Sequence, residues 1–241
     1  MHLKTVNIHS EKFPTTDFYP YNIPAFHQTK SIKLEKPITF FIGENGAGKT
    51  TLLRAMAYKC GIYIWKGMQR KRSEYNPYEE ELYKSISVEW KNGLIPGSFF
   101  SSQDFRNFSQ IVEEWCALDP GIKNYFGGKS LVTQSHGQSL MSYFQSRYKI
   151  KGIYFLDEPE TALSPKSQIE LLKVLTEMGH AGHAQFIIAT HSPLLLACPN
   201  ADIFSFDKLP IKQIEYEETE YFKVYKDFLN NTNKYQVQFS K

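Results

Sequence analysis

Residues 38–53 read Ile38-Thr39-Phe40-Phe41-Ile42-Gly43-Glu44-Asn45-Gly46-Ala47-Gly48-Lys49-Thr50-Thr51-Leu52-Leu53. The first five are almost wholly apolar, as expected of a parallel strand buried on both faces. Leu52, Leu53, Met56 and Ala57 then recur at helical spacing. Between strand and helix, Gly43 to Thr50 fits G-x-x-x-x-G-K-[ST] in the context that this pattern needs. With Gly at roughly 7%, Lys about 6% and Ser plus Thr about 12% of residues, a chance match over this length is expected about 0.01 times. The chemistry is local. Successive N–H groups of Gly43, Glu44, Asn45, Gly46, Ala47 and Gly48 curl round a β-phosphate. The helix N terminus, with Lys49, Thr50 and Thr51 in its first turn, adds partial positive charge. Lys49 reaches the β- and γ-oxygens, and the Thr50 hydroxyl is placed to ligate Mg²⁺.

Two later apolar strands end in polar residues suited to the same site. Ile153-Tyr154-Phe155-Leu156 runs into Asp157-Glu158-Pro159-Glu160. An Asp at such a strand end holds Mg²⁺ through water, and Glu158 can poise a water for in-line attack on the γ-phosphate. Gln185-Phe186-Ile187-Ile188-Ala189-Thr190 ends in His191-Ser192-Pro193, where a histidine can donate to the γ-phosphate and sense its loss. Ser164 and Pro165 predict the N-cap and first turn of a helix ending at Gly179. Ser85–Trp90 alternates as a half-exposed strand does, and Ala201–Phe206 is a further strand. Gly93 to Gly128 is richer in Phe, Ser, Asn and Gly, with one helix near Gln110–Leu118. This stretch and the helix after Gly137 read as an inserted, mostly helical lobe. Glu215–Glu220 and the last twenty residues read as a helical tail. His180 and His183 are interrupted by glycines and lack a third ligand, so no metal site is expected there.

Ser135-His136-Gly137-Gln138-Ser139 precedes a helix with Leu140, Tyr143 and Phe144 on one face. A Ser-x-Gly turn at a helix N terminus is a second anion receptor, suited to the phosphate of another molecule because the chain already carries one. On these residues the sequence resembles the ABC-type ATPases. Asn45-Gly46, Asp157-Glu158-Pro159 and Thr190-His191-Ser192 look like that superfamily's motifs. Ser135-His136-Gly137-Gln138 resembles its Leu-Ser-Gly-Gly-Gln signature, with Gln134 at the Leu position and His136 at the first Gly. Glu160-Thr161-Ala162-Leu163-Ser164-Pro165 resembles its D-loop, with Ser164 in place of the transporter Asp. These departures are similar to the SMC and DNA-repair ATPases and the small bacterial "AAA family/predicted ATPase" proteins. That last resemblance spans the chain from Tyr19-Pro20-Tyr21-Asn22-Ile23-Pro24 to Glu217-Glu218-Thr219-Glu220.

The resemblance implies an α/β P-loop NTPase fold: one ABC-ATPase-like domain over 1–241 with a mostly parallel central sheet and an antiparallel β portion. The helical lobe over approximately 93–150 would carry the signature loop. It further implies ATP with Mg²⁺, hydrolysis, and a head-to-tail homodimer in which Ser135, Gly137 and Gln138 act on the other protomer's nucleotide. Gln103, in Ser102-Gln103-Asp104-Phe105, is the implied Q-loop glutamine touching Mg²⁺ and water. An adenine-stacking aromatic is implied upstream of the phosphate loop, where Phe18, Tyr19 and Tyr21 are equally placed.

With 41% hydrophobic and 22% charged residues, the 241-residue chain buries a core, which excludes a disordered tail, a collagen-like fibre and a disulfide-stapled miniprotein. The net charge of +3 is too slight to argue by itself for nucleic acid or membrane. Cys60, Cys116 and Cys198 lack CxxC spacing, so a reducing compartment is expected. No apolar run approaches the roughly 18 residues of a membrane helix, and the start lacks a signal-peptide pattern. The expected location is cytoplasmic, with no direct membrane insertion. The leading function is a soluble ATPase whose ATP-dependent dimer drives or regulates a protein partner, in DNA repair or defence. Two alternatives remain: the nucleotide-binding subunit of a membrane transporter, and an ATP-regulated module gripping nucleic acid or an effector. For the last, Lys66, Arg70, Lys71 and Arg72 beside Trp65 form a basic run. The absence of a long heptad run excludes an SMC-type coiled-coil arm within this chain.

Overall fold

The computed structural model describes residues 1–65 and 76–239; the basic run Lys66, Arg70, Lys71 and Arg72 lies outside the described residues. The centre of the fold is β3 (Ile38–Ile42), buried at every position. Its side chains divide between two cores: Phe41 enters one, while Ile38, Phe40 and Ile42 enter the other. β3 is hydrogen-bonded in parallel on both sides, to β7 (Ala184–Ala189) and β8 (Asp202–Ser205), with Phe40 opposite Ile188 and Ile203. β6 (Gly152–Asp157) continues the sheet beyond β7. With β5 (Gly97–Ser101) and β9 (Lys212–Ile214) the order is β5-β6-β7-β3-β8-β9, and β9 alone is antiparallel to its neighbour. Burial on both faces is why these strands read as unbroken apolar runs.

A second, antiparallel sheet joins β1 (Leu3–Ile8) to β2 (Ser31–Lys33) and to β4 (Ile86–Trp90), in the order β2-β1-β4. Helix α2 (Lys49–Lys59) contacts both β4 and the central β6 and β7. It buries Leu52, Leu53 and Met56 in the core between the sheets, together with Phe26 of the short α1 (Pro24–Gln28). A polar staple also holds the two sheets. The fully buried Gln185 accepts from the amides of His2 and Leu3, both at 2.7 Å, and donates to the Leu3 carbonyl at 2.9 Å.

The opposite face is covered by α3 (Phe105–Leu118), α4 (His136–Arg147), α5 (Pro165–His180) and α6 (Pro193–Leu196). The expected N-cap is present: the Ser164 hydroxyl accepts from the Ser167 amide at 3.2 Å. The helix expected near Gln110–Leu118 begins earlier, at Phe105. Within 93–150 the chain also contributes β5, an edge strand of the central sheet rather than part of a helical layer. Phe99 and Phe100 enter opposite cores, so this strand is two-faced like the others, but flanking Ser and Gly hide the pattern. The tail is helical, as α7 (Glu220–Asn230) and α8 (Thr232–Phe239). Thr219 caps α7, accepting from the Phe222 amide at 3.2 Å, and Val224, Tyr225, Phe228 and Leu229 are exposed along the helix. All three cysteines are buried thiols, and burial pushes Cys60 up to about 12. Among the described residues no helix is long and apolar enough to cross a membrane.

Candidate functional site

The candidate residues gather at the carboxyl ends of the parallel strands, where open α/β sheets present ligands with backbone dipoles and loops. The glycine-rich loop leaves β3 and turns into α2. Gly48 has φ +101°, and a Cβ there would lie 2.8 Å from the Phe26 ring, so backbone and packing both require glycine. Gly48→Ala is expected to cost about 1–3 kcal/mol of stability, read as a lowered urea midpoint with an unchanged slope. The Glu44 amide donates to Asp207 Oδ1 at 2.8 Å, pinning the loop to the end of β8. Lys49 is 5% exposed, and its ammonium donates to the carbonyls of Gly43 at 2.5 Å and Glu44 at 2.9 Å. Burial lowers its pKa, while the carboxylates of Glu158, Asp207, Asp157 and Glu44 oppose the shift.

The Thr50 hydroxyl donates to Asp157 Oδ1 at 2.6 Å, joining the first turn of α2 to the end of β6. Burial raises the Asp157 pKa; the Thr50 hydrogen bond and the nearby Arg54 and Lys49 charges restrain it. Two hard oxygen donors so placed suit Mg²⁺, which takes one or two protein oxygens and completes its shell with phosphate and water. Next in the chain, Glu158 sits at φ +48°, ψ 55°, a left-handed conformation that costs a non-glycine residue free energy. Its amide donates to the Ala189 carbonyl at 2.9 Å, and its carbonyl accepts from Ser102 Oγ at 2.5 Å and Thr161 Oγ1 at 2.6 Å. These bonds fix the backbone from which the carboxylate projects. Gln103 follows Ser102 in the turn after β5 and is exposed.

His191 lies just beyond β7. Its amide donates to Glu160 Oε1 at 2.7 Å, its Nδ1 is 2.7 Å from the Tyr221 hydroxyl, and its Nε2 is 3.7 Å from Glu158 Oε1. Burial and the Lys49 charge lower its pKa, and Glu158 opposes them. Tyr221, on the first turn of α7, donates to the Gly43 carbonyl at 3.1 Å. Glu44, Asn45, Glu158, His191, Asp207 and Tyr221 thus line one cleft of about 560 Å³.

Ser135, Gly137 and Gln138 stand apart from this cluster, at the start of α4. The Ser135 hydroxyl accepts from the Gln138 amide at 3.4 Å, and the Gln138 side chain accepts from the Ser135 amide at 3.2 Å. This reciprocal capping box follows from Ser-x-x-Gln, a pattern the sequence displays. Gly137 faces the Ala162 carbonyl, where an added Cβ would lie at 3.5 Å. Of the three aromatics upstream, Tyr21 is buried, while the exposed Tyr19 bonds Thr51 Oγ1 at 2.8 Å and Phe18 is exposed. Sequence reasoning missed Ser102, the loop-pinning Asp207 and Tyr221. Asp207 follows an apolar strand at its carboxyl end, a signal that was available; Tyr221 has no motif.

Residues 21–113 match a family model described as "AAA domain", and residues 139–197 match another described as "AAA domain, putative AbiEii toxin, Type IV TA system". The chain is 22% identical over 191 residues to the high-affinity branched-chain amino acid transport ATP-binding protein BraG of Pseudomonas aeruginosa, covering 73% of this chain and 80% of that one. Its fold is similar to an ATP-binding cassette of an ABC transporter in its ADP conformation, at TM-score 0.54 and 16% identity, covering 100% of both chains. The SMC head domain from Thermotoga maritima is similar at TM-score 0.50 and 15% identity, covering 89% of this chain and 100% of that one. Two AAA-domain family matches, the phosphate loop in its strand–helix setting and a mostly parallel sheet agree: the chain has the ATP-binding fold that the ABC-type ATPases and SMC heads share.

Proposed function

We propose that this chain binds ATP with Mg²⁺ at the phosphate loop and hydrolyses it between two copies arranged head to tail. The observation that carries the reading is the 2.6 Å contact of Thr50 with Asp157, with the strained Glu158 next in sequence. The loop amides and Lys49 bind the phosphates, Lys49 exchanging its carbonyl partners for phosphate oxygens. Thr50, Asp157 through water, and Gln103 would hold Mg²⁺, which would supply positive charge to the phosphate oxygens. Glu158 orients a water and takes its proton as the oxygen attacks phosphorus; the bond to the β-phosphate oxygen breaks and ADP leaves. His191 faces the γ-phosphate. Tyr19 and Phe18 are left as adenine-stacking candidates, since Tyr21 is committed to the core.

Ser135, Gly137 and Gln138, carried on the lobe at 93–150, complete the partner's site. ATP favours the closed dimer because only that state contacts the γ-phosphate from both sides. Gln134, His136 and Ser164, together with the match to the family described for Type IV TA systems, support a regulatory task on a protein partner in defence or DNA repair over transport. The solution mass of Glu158→Gln with and without Mg²⁺–ATP tests the dimer. A monomer-to-dimer shift that is lost on adding Ser135→Arg supports it. A monomer in both conditions, with nucleotide bound, overturns it.

A further inference from the structure

Tyr221 comes from outside every motif and yet reaches the middle of the site. Its helix is held firmly: the Tyr216 hydroxyl donates to the Pro193 carbonyl at 3.0 Å, and the Tyr216 and Phe222 rings lie 4.9 Å apart. Pro193 is two residues beyond His191, so α7 and the histidine loop are braced against one another. The Tyr221 hydroxyl has a single proton. A carbonyl only accepts, so for both contacts to be hydrogen bonds that proton goes to Gly43 at 3.1 Å, and the tyrosine oxygen accepts from His191 Nδ1 at 2.7 Å. The neutral imidazole is therefore the Nδ1–H form, with a bare Nε2. That nitrogen is buried, has no hydrogen-bond partner among the described residues and lies 3.7 Å from the Glu158 carboxylate. Two acceptors facing one another explain a separation too long for a hydrogen bond. Burial pushes the Tyr221 phenol up to about 12, so it keeps its proton near neutrality.

We infer that Tyr221 is a positioning residue for hydrolysis: through its bonds to His191 Nδ1 and the Gly43 carbonyl it aims His191 Nε2 at the γ-phosphate and Glu158, and makes α7 part of the catalytic unit. The inference rests on the hydrolytic reading above. With Tyr221 accepting at Nδ1, the ring meets the γ-phosphate by taking a proton from solvent at Nε2 while keeping its Nδ1 proton, and returns it to solvent after phosphate leaves. Protons balance over the cycle.

The test compares wild type, Tyr221→Phe, His191→Ala and the double variant, in steady-state ATP hydrolysis and in ¹⁵N spectra of the His191 ring without nucleotide. Phe keeps the packing and removes only the hydroxyl. Tyr221→Phe is expected to lower kcat about 10-fold, the worth of one well-placed hydrogen bond, with KM for ATP within about twofold. The His191 ring is expected to lose its Nδ1–H preference. In the His191→Ala background the same substitution is expected to add nothing further, because its effect runs through the ring. Wild-type kcat in Tyr221→Phe overturns the inference, as does a lowered kcat with an unchanged His191 spectrum or with full additivity. Wild type without turnover is a separate result: it overturns the hydrolytic reading itself.

Discussion

Glu158→Gln is expected to hydrolyse ATP about 10²–10⁴-fold more slowly than wild type, with ATP affinity within about twofold. The substitution is nearly isosteric, and the bonds that hold this position are made by its backbone, to Ala189, Ser102 and Thr161. The left-handed turn therefore survives, and what disappears is a proton acceptor. A second consequence follows from charge. Glu158 is the largest of the influences that keep Lys49 protonated against burial, so its neutralisation lowers the Lys49 pKa further. Affinity should therefore hold at neutral pH and fall earlier than in wild type as pH rises. Phosphate release in a single turnover, beside equilibrium ATP binding at pH 7 and pH 9, separates the two effects. Equal losses in binding and turnover at pH 7 would show that Glu158 positions nucleotide and is not the base.

The second large effect is on stability. Gln185→Ala leaves the His2 and Leu3 amides and the Leu3 carbonyl buried without the partners they have now. Each stranded group costs about 1–3 kcal/mol, so the three together cost about 3–9 kcal/mol, a large part of the 5–15 kcal/mol typical of a domain. Gln185→Met separates the polar from the steric cause: it fills the space and satisfies none of the three groups. Both variants should unfold at markedly lower urea concentration. A Met variant within about 1 kcal/mol of wild type would show that the staple contributes packing alone.

The parts legible in the sequence are those where one local rule dominates. Lys49, Thr50, Asp157, Glu158 and His191 all follow apolar strands that are buried on both faces, so strand and polar terminus are visible together. The antiparallel sheet is harder to read. Leu3–Ile8 and Ser31–Lys33 are short and mixed in character, and β1 finds its second partner some eighty residues away at Ile86–Trp90. Phe99 and Phe100 mark β5 only once both cores are known. At Ser135 the same four residues serve two rules: they read as an anion receptor, and in the structure their polar groups close a capping box. Tyr221 was illegible because its role depends on where a terminal helix docks, a tertiary fact with no periodicity to announce it.

The position of β3 between β7 and β8 has a consequence during synthesis. Ile38–Ile42 is made before the strands that flank it, Ala184–Ala189 and Asp202–Ser205, which follow some 140 to 160 residues later. At about 5–20 residues per second the wait is on the order of ten seconds. Through that interval a largely apolar strand lacks both of the strands that flank it, and the glycine-rich loop beyond it lacks Asp207 to pin it. The segment is a natural client for chaperones, and maturation of the ATP-binding fold is a late event, timed by translation of the region around residue 205.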